Sequence, residues 1–203
     1  MTGYLQVNLL EMVQGIGENR ANEILSDFTC GGLNNDVEIF LKQKAILFAK
    51  QGWSQTHLVF ASYKSKPVLV GYFTLAVKMI TISRDKNLSN NYRKRLSRFS
   101  VFDDNIDKYV VPMQLIGQLG KNYYNNYNTL ITGDELLQIA CMKVKEAQLI
   151  SGGKFVYLEC EDKEVLLQFY SNNGFVNFGR RSLDKDEQNI DGEYLIQMLK
   201  YMS

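Results

Sequence analysis

Between residues 110 and 180 the chain alternates apolar, strand-like runs with segments of helical spacing. A strand is read at about 110–119, a long helix at about 131–151, the strand KFVYLEC at 154–160, a short helix at 163–171 and a strand at 174–180. Strands joined through helices run in the same direction, so this order predicts a partly parallel sheet with helices packed on it. A last strand is expected at 194–202, after the polar stretch SLDKDEQNIDGE at 182–193, which reads as a loop.

The N-terminal half adds a strand-like YLQVNLL at 4–10 and two segments of helical period, EMVQGIGENRANEILSDF and NNDVEIFLKQKAILFAKQG. In the second, Val37, Phe40, Leu41, Ala45 and Phe48 share one face, and Asn35 or Asp36 is placed to cap its start. The β-rich runs THLVFASY and PVLVGYFTLAVKMI follow, separated by the turn-like KSK. With 203 residues, 45% hydrophobic and 22% charged, the chain suits a single globular domain, 1–203. Apolar runs such as ILFA at 46–49 and VLVGYFTLAV at 68–77 fall short of the roughly 18 residues of a membrane span. A cytoplasmic protein without a membrane partner is expected.

Several chemistries are disfavoured. Cys30, Cys141 and Cys160 are odd in number, widely spaced and outside any CxxC, which suggests buried thiols rather than a disulfide framework or a zinc site. His57 is the only histidine, and no serine or cysteine stands in a nucleophile motif. A histidine-based triad and a histidine metal centre are therefore disfavoured, and no metal is expected. Net charge is +1, yet RDKNLSNNYRKRLSR gathers Arg84, Lys86, Arg93, Lys94, Arg95 and Arg98 against Asp85, with Tyr92 among the bases. This segment reads as a short helix, either a solvated face or a landing site for phosphates.

The strand ending GQLGKN passes through YYNNYN to the helix beginning near Thr132, with Gly133 at the junction and Leu136, Ala140, Val144 and Ala147 as its apolar stripe. A loop entering a helix N-terminus directs several amides and the positive end of the helix dipole at one point, which suits a phosphate or pyrophosphate. The same features describe an ordinary turn, and the glycine pattern of a Rossmann or P-loop site is missing.

The order VPMQLIGQLGKN, a loop into GDELL, KFVYLEC and LLQFYSNNGF resembles the GNAT superfamily of acetyl-coenzyme A-dependent N-acetyltransferases over about residues 55–180. The resemblance implies a GNAT-like α/β fold: a mixed, mostly antiparallel twisted sheet with splayed central parallel strands and flanking helices. It implies that the strand at 112–121 offers the backbone of Leu119, Gly120 and Lys121 to the pantetheine arm. The family's pyrophosphate pattern, Q/R-x-x-G-x-G/A, falls on residues 128–133, where only the final glycine is retained. Asn128, Ile131 and Gly133, with Asp134 beside them, are the positions the match assigns to the coenzyme. The FY-x-x-x-GF ending places Phe169 one turn after Val165 to bury against the sheet, and turns Tyr170 toward the splayed strands. The match makes Tyr170 the general acid for the leaving thiolate. The strand PMQLIGQLG carries no carboxylate, which leaves Glu159 as a candidate base.

The N-terminal half is similar to the GNAT subgroup of bacterial toxins that acetylate aminoacyl-tRNA. Phe28, Cys30 and Gly31 match its F-x-C-G, Phe40, Leu41 and Ala45 its helix, and GYFTL at 71–75 its G-Y-F/Y-T-L strand, extending the likeness over about 28–180. The implied activity is transfer of an acetyl group from acetyl-CoA, as co-substrate, to a primary amine by direct attack. The amine of an aminoacyl ester has a lowered pKa and needs no strong base. Candidate partners are an amine-bearing acceptor such as aminoacyl-tRNA, a small antitoxin, and a second copy of the chain in a homodimer; Arg93, Lys94 and Arg95 would meet the acceptor. A small-molecule or protein amine as acceptor, and a GNAT-like binding module without catalysis, are the alternatives.

Overall fold

A computed structural model describes residues 3–84, 88–184 and 192–202. Asp85 and Lys86 of the basic segment, and 185–191 of the stretch read as a loop, lie outside the described residues. The chain runs β1 (Tyr4–Asn8), α1 (Leu9–Ile16), α2 (Glu18–Ser26), α3 (Asn35–Ile39), a π-helical turn (Phe40–Lys44), α4 (Ala45–Lys50), β2 (Gln55–Tyr63) and β3 (Lys66–Ser83). Then follow α5 (Asn90–Phe99), β4 (Val101–Asp103), β5 (Lys108–Lys121), a 3-10 segment (Tyr124–Leu130), α6 (Gly133–Ser151), β6 (Phe155–Cys160), α7 (Glu164–Asn172), β7 (Val176–Ser182) and β8 (Tyr194–Tyr201). Strand order is β1-β2-β3-β5-β6-β8-β7, with β4 against β5. As the helix-linked order predicts, β5 and β6 are parallel. The pairs β1–β2, β2–β3, β4–β5, β6–β8 and β7–β8 are antiparallel. Among the described residues no helix is long and apolar enough to cross a membrane.

Residues 1–76 and 117–140 form one compact unit. Asn8 turns β1 into α1, its Oδ1 accepting from the N–H groups of Leu10 at 2.8 Å and Glu11 at 3.2 Å. Gly17, at φ +83°, breaks the first helical segment into α1 and α2. The cap of α3 is Asn34 rather than Asn35 or Asp36: its Oδ1 accepts from Val37 N–H at 3.2 Å. In the π-helical turn the Ala45 N–H reaches back to the Phe40 carbonyl, and Val37, Phe40, Leu41 and Ala45 stay buried together. They pack with Leu9, Leu25, Phe28, Leu58 and Tyr72.

The residues that match the toxin subgroup build this core. Gly71 and Gly120 permit close approach: a Cβ on Gly71 would lie 2.9 Å from the Gly120 carbonyl oxygen, and one on Gly120 would lie 2.5 Å from Val37 Cγ1. Tyr72 is fully buried, donates its hydroxyl to the Val37 carbonyl at 2.6 Å and meets Phe28 edge-on at 5.2 Å. After Phe28, the Thr29 hydroxyl and the Cys30 N–H both donate to Glu38 Oε2, at 2.8 and 2.9 Å, while Lys42 Nζ takes Oε1 at 2.8 Å. Partial burial by itself raises the Glu38 carboxyl, but Lys42, the Cys30 amide and the Thr29 hydroxyl outweigh it and hold the group below its ordinary range.

Residues 77–116 and 141–203 form the second unit. Ser89 caps α5 by accepting from Tyr92 N–H at 3.4 Å, and Leu96 turns inward to join Ile82, Met113, Phe155, Tyr157 and Leu199 in the core. The strand β4 was not expected; at Val101–Asp103 it is too short to leave a periodicity. Phe169, expected to bury against the sheet one turn after Val165, is only half-buried, and α7 has no fully buried residue. Phe169 instead stands edge-on to Tyr170, with ring centroids 4.9 Å apart.

Candidate active site

The parallel pairing joins Gln114 to Val156, Leu115 to Tyr157 and Ile116 to Leu158. Beyond this point Glu159 and Cys160 pair with Gln197 and Ile196 of β8, while β5 runs on to Lys121. Among the described residues, β5 from Gly117 onward therefore has no β6 partner. Its strand amides and carbonyls on that edge are of the kind an extended ligand can take, as an added strand would.

In the first unit, Leu119, Gly120 and Lys121 lead directly into a loop tied down by polar contacts. Lys121 Nζ donates to the carbonyls of Asn128 at 3.1 Å and Ile131 at 3.3 Å, which gathers three of the positions assigned to the coenzyme. Asn122, which no motif singled out, is 1% exposed. Its Oδ1 accepts from Thr29 N–H and Tyr124 N–H, each at 3.0 Å, and its Nδ2 donates to the Leu69 carbonyl at 2.9 Å. An Asn directly after a strand, two residues before the turn it closes, was the available signal.

Helix α6 opens with a capping box, T-G-D-E. The Glu135 N–H donates to Thr132 Oγ1 at 3.1 Å, and the Thr132 N–H returns to Glu135 Oε2 at 2.7 Å. The backbone and hydroxyl of Thr132 hold the Glu135 carboxyl below its ordinary range, with Tyr4 contributing. Burial, and then the Glu135 charge, raise the Tyr4 phenol, whose hydroxyl donates to the Leu130 carbonyl at 2.9 Å. Among the described residues no protein group accepts the Ile131 or Gly133 N–H, so amides remain for an anion at this end. The donor set fits a coenzyme A held through backbone groups, with the Glu135 carboxylate working against its pyrophosphate.

Tyr170, Arg93, Lys94 and Arg95 belong to the second unit. Tyr170 sits where α7 ends in a Schellman turn: Phe175 N–H reaches the Tyr170 carbonyl at 3.0 Å, Gly174 N–H the Ser171 carbonyl at 2.9 Å, and Gly174 takes φ +81°. Burial, with a smaller contribution from Cys160, pushes the phenol well above its ordinary value, so it stays protonated at neutral pH. Among the described residues none accepts a hydrogen bond from its hydroxyl. Burial, with Asp162 and Glu161, likewise pushes the Cys160 thiol up to about 11. Glu159 is not an open base: Arg181 Nε donates to its Oε2 at 2.7 Å and Gln197 Nε2 to its Oε1 at 2.9 Å.

On α5, Arg93 and Lys94 are exposed, whereas Arg95 lies with its guanidinium carbon 4.2 Å above the Tyr201 ring. Arg84 stacks on Phe102 at the same distance of 4.2 Å.

No protein-family model matches the chain, and no curated protein matches its sequence. Solved structures do match. AtaT complexed with acetyl-methionyl-tRNAfMet is similar at 16% identity over 95% of this chain and 93% of that one, with a TM-score of 0.61. The chain has the GNAT fold. A tyrosine-to-phenylalanine mutant of KacT is similar at 16% identity over 97% of this chain and 94% of its own, also with a TM-score of 0.61. A tyrosine-to-phenylalanine mutant of the AtaT toxin, bound to the C-terminus of the antitoxin AtaR and to acetyl-CoA, matches at 14% identity over 98% and 94%, with a TM-score of 0.56. The GNAT-like fold expected from the strand and helix order is thus met across nearly the whole length, and the FY-x-x-x-GF ending is the Schellman turn that holds Tyr170.

Proposed function

We propose that the protein is an acetyl-CoA-dependent N-acetyltransferase, toxin-like, whose acceptor is the α-amine of aminoacyl-tRNA, and that it works as a single domain over 1–203. The observation that carries the reading is β5 running on to Lys121 after its pairing with β6 stops at Ile116. The similarity to AtaT in complex with acetyl-methionyl-tRNAfMet supports the choice of acceptor.

Bound acetyl-CoA supplies the thioester carbon that the amine attacks, and the carbon–sulfur bond breaks. Leu119, Gly120 and Lys121 offer backbone groups to the pantetheine arm; Asn128, Ile131, Gly133 and Asp134 line the pyrophosphate. Tyr170 holds a proton at its phenol oxygen and donates it to the leaving sulfur, its raised pKa keeping it in that form, and the proton released by the acylated amine passes through water to restore the phenol. No protein base is assigned, since Arg181 and Gln197 occupy Glu159. An aminoacyl ester, with its weakly basic amine, matches that lack. Arg93 and Lys94 meet RNA phosphates, with Arg95 held against Tyr201 as a more rigid neighbour. A small antitoxin is a further partner, in line with the AtaT structure bound to the AtaR C-terminus, and a second copy of the chain in a homodimer completes the reading.

A second reading, a GNAT-like binding module without catalysis, draws on the Glu135 carboxylate at the start of α6. Calorimetric titration with acetyl-CoA separates the two. Binding, with thiol release when aminoacyl-tRNA is added, supports the enzyme; no binding at saturating coenzyme supports the module. Growth arrest on induction, relieved by Tyr170→Phe, with acetylated aminoacyl-tRNA in extracts, supports the toxin. Thiol release with other amines and unmodified tRNA would assign a small-molecule or protein acceptor instead.

A further inference from the structure

Three tyrosines meet on the surface of the first unit. Tyr127 stands edge-on to Tyr63 with ring centroids 5.8 Å apart, and to Tyr124 at 6.1 Å. Tyr63 is 38% exposed and Tyr124 39%, so a large aromatic area is left in water, where the hydrophobic effect disfavours it.

Backbone geometry, not burial, holds these rings. Lys64 and Ser65, directly after Tyr63, form the two-residue turn of the β2–β3 hairpin at φ +48° and +61°. Asn125 and Asn126, between Tyr124 and Tyr127, sit at φ +49° and +60°. Left-handed backbone is costly for Lys and Ser and is tolerated better by Asn, so both turns hold conformations that local preference alone does not favour. The Asn126 N–H to Tyr123 carbonyl bond at 3.2 Å, the Thr129 hydroxyl to Asn126 carbonyl bond at 2.8 Å and the Tyr124 N–H to Asn122 Oδ1 bond at 3.0 Å stabilise the loop. Rings that are fixed by their backbone yet open on the surface are pre-organised for a flat partner.

Charge narrows the partner. The segments SYKSKP at 62–67 and KNYYNNYN at 121–128 carry Lys64, Lys66 and Lys121 and no acid. Lys64 Nζ lies 5.2 Å from the Tyr63 ring centroid. A ligand with a π-face and negative charge fits, which is the description of a nucleotide.

We infer that Tyr63, Tyr124 and Tyr127 form a stacking site for the adenine nucleotide end of coenzyme A. The inference rests on the acetyltransferase reading above. The occupant follows from chain order: the 3-10 segment that carries Tyr124 and Tyr127 continues directly into Ile131 and Gly133, the amides assigned to the pyrophosphate. The terminal adenosine of a tRNA shares this chemistry, so the test has an arm for it.

Calorimetric titrations of the parent, Tyr124→Ala, Tyr127→Ala and Tyr127→Phe with coenzyme A, AMP and pantetheine decide the matter, with thermal unfolding as the check that each variant is folded. Stacking on one ring is worth on the order of tenfold in Kd, so both alanine variants should weaken coenzyme A and AMP by about that factor and leave pantetheine unchanged. Tyr127→Phe should bind as the parent does. Unchanged coenzyme A affinity in both alanine variants overturns the adenine site and leaves the acetyltransferase reading standing. A parent that binds no coenzyme A overturns both. Alanine variants that keep coenzyme A but lose an RNA ending in adenosine assign the tyrosines to the acceptor and overturn the coenzyme assignment.

Discussion

The carbonyl of Tyr170 accepts the N–H of Phe175 at 3.0 Å while their rings lie 6.0 Å apart. With the Gly174 N–H to Ser171 carbonyl bond this closes the Schellman turn, and the ring contact is the apolar pair that accompanies it, so Tyr170 ends its helix for a structural reason that does not involve its hydroxyl. Tyr170→Phe should therefore keep the melting temperature close to that of the parent and lower turnover by about a hundredfold, the scale of a lost general acid. Tyr170→Ala should lower both. Steady-state thiol release together with thermal unfolding distinguishes them, and a Tyr170→Phe variant with parental turnover would remove the acid role.

Gly120 is a packing residue as well as a proposed backbone ligand. A methyl group there meets Val37 Cγ1 at 2.5 Å, so Gly120→Ala should destabilise by roughly 1–3 kcal/mol, the usual cost of overpacking a core. Gly17→Ala offers a contrast, since a Cβ there meets nothing within 4 Å and its cost comes only from φ +83°. Denaturant titration of the two variants measures both.

Glu38 ties the Thr29–Cys30 turn to Lys42, with its pKa depressed in the fold. A carboxyl whose folded pKa is lower than its unfolded one stabilises at pH values above the unfolded pKa, and loses that contribution as pH falls through the folded pKa. Glu38→Gln should thus destabilise the protein at neutral pH by roughly 1–2 kcal/mol. The gap to the parent should narrow below about pH 4, where the parent's carboxyl itself protonates. Melting temperatures across a pH series would show a constant gap if Glu38 contributed nothing by its charge.

Glu135→Gln keeps a capping box, because Gln serves at the same position, and removes the negative charge from the start of α6. Coenzyme A affinity should rise on the order of threefold, the scale of one charge at an exposed helix terminus. Calorimetry at low ionic strength reads it, and an unchanged or weaker Kd would mean that the pyrophosphate does not approach this helix end.

Arg93 and Lys94 are exposed on α5, whereas Arg95 is stacked on Tyr201. Replacing Arg93 and Lys94 together by Ala should weaken RNA binding uniformly across sequences and lower the slope of log affinity against log salt by about one to two, roughly one for each phosphate no longer neutralised. Arg95→Ala should instead lower the melting temperature, because the Tyr201 ring would no longer be covered by a guanidinium.

Much of the fold was legible because periodicity reports local structure directly. The helix-linked strands of residues 110–180 predicted the parallel β5–β6 pair, and the face of Val37, Phe40, Leu41 and Ala45 is buried as its spacing required. Differences fall where the pattern is too short or too local to register: three-residue β4, the cap displaced to Asn34, and the half-buried Phe169. Of the residues that carry the resemblance, Phe28 and Tyr72 lie in the core and Gly71 sits where a Cβ would meet Gly120, contacts that a motif match does not reveal.

By itself, then, the sequence determined the order of the helical segments and of the strands other than β4, the GNAT likeness carried by that order, and the positions of Tyr170 and of the loop from Lys121 to Gly133. Spacing along the chain suffices for these, since helix and strand periods are properties of neighbouring residues. Only the tertiary structure decided that pairing stops at Ile116, that Arg181 and Gln197 occupy Glu159, that Thr132 and Glu135 close the start of α6, and that Tyr63 joins Tyr124 and Tyr127. Most of these bring together side chains far apart in sequence, and the one local case, the capping box, depends on which rotamers and hydrogen bonds the folded backbone allows; a linear pattern records neither.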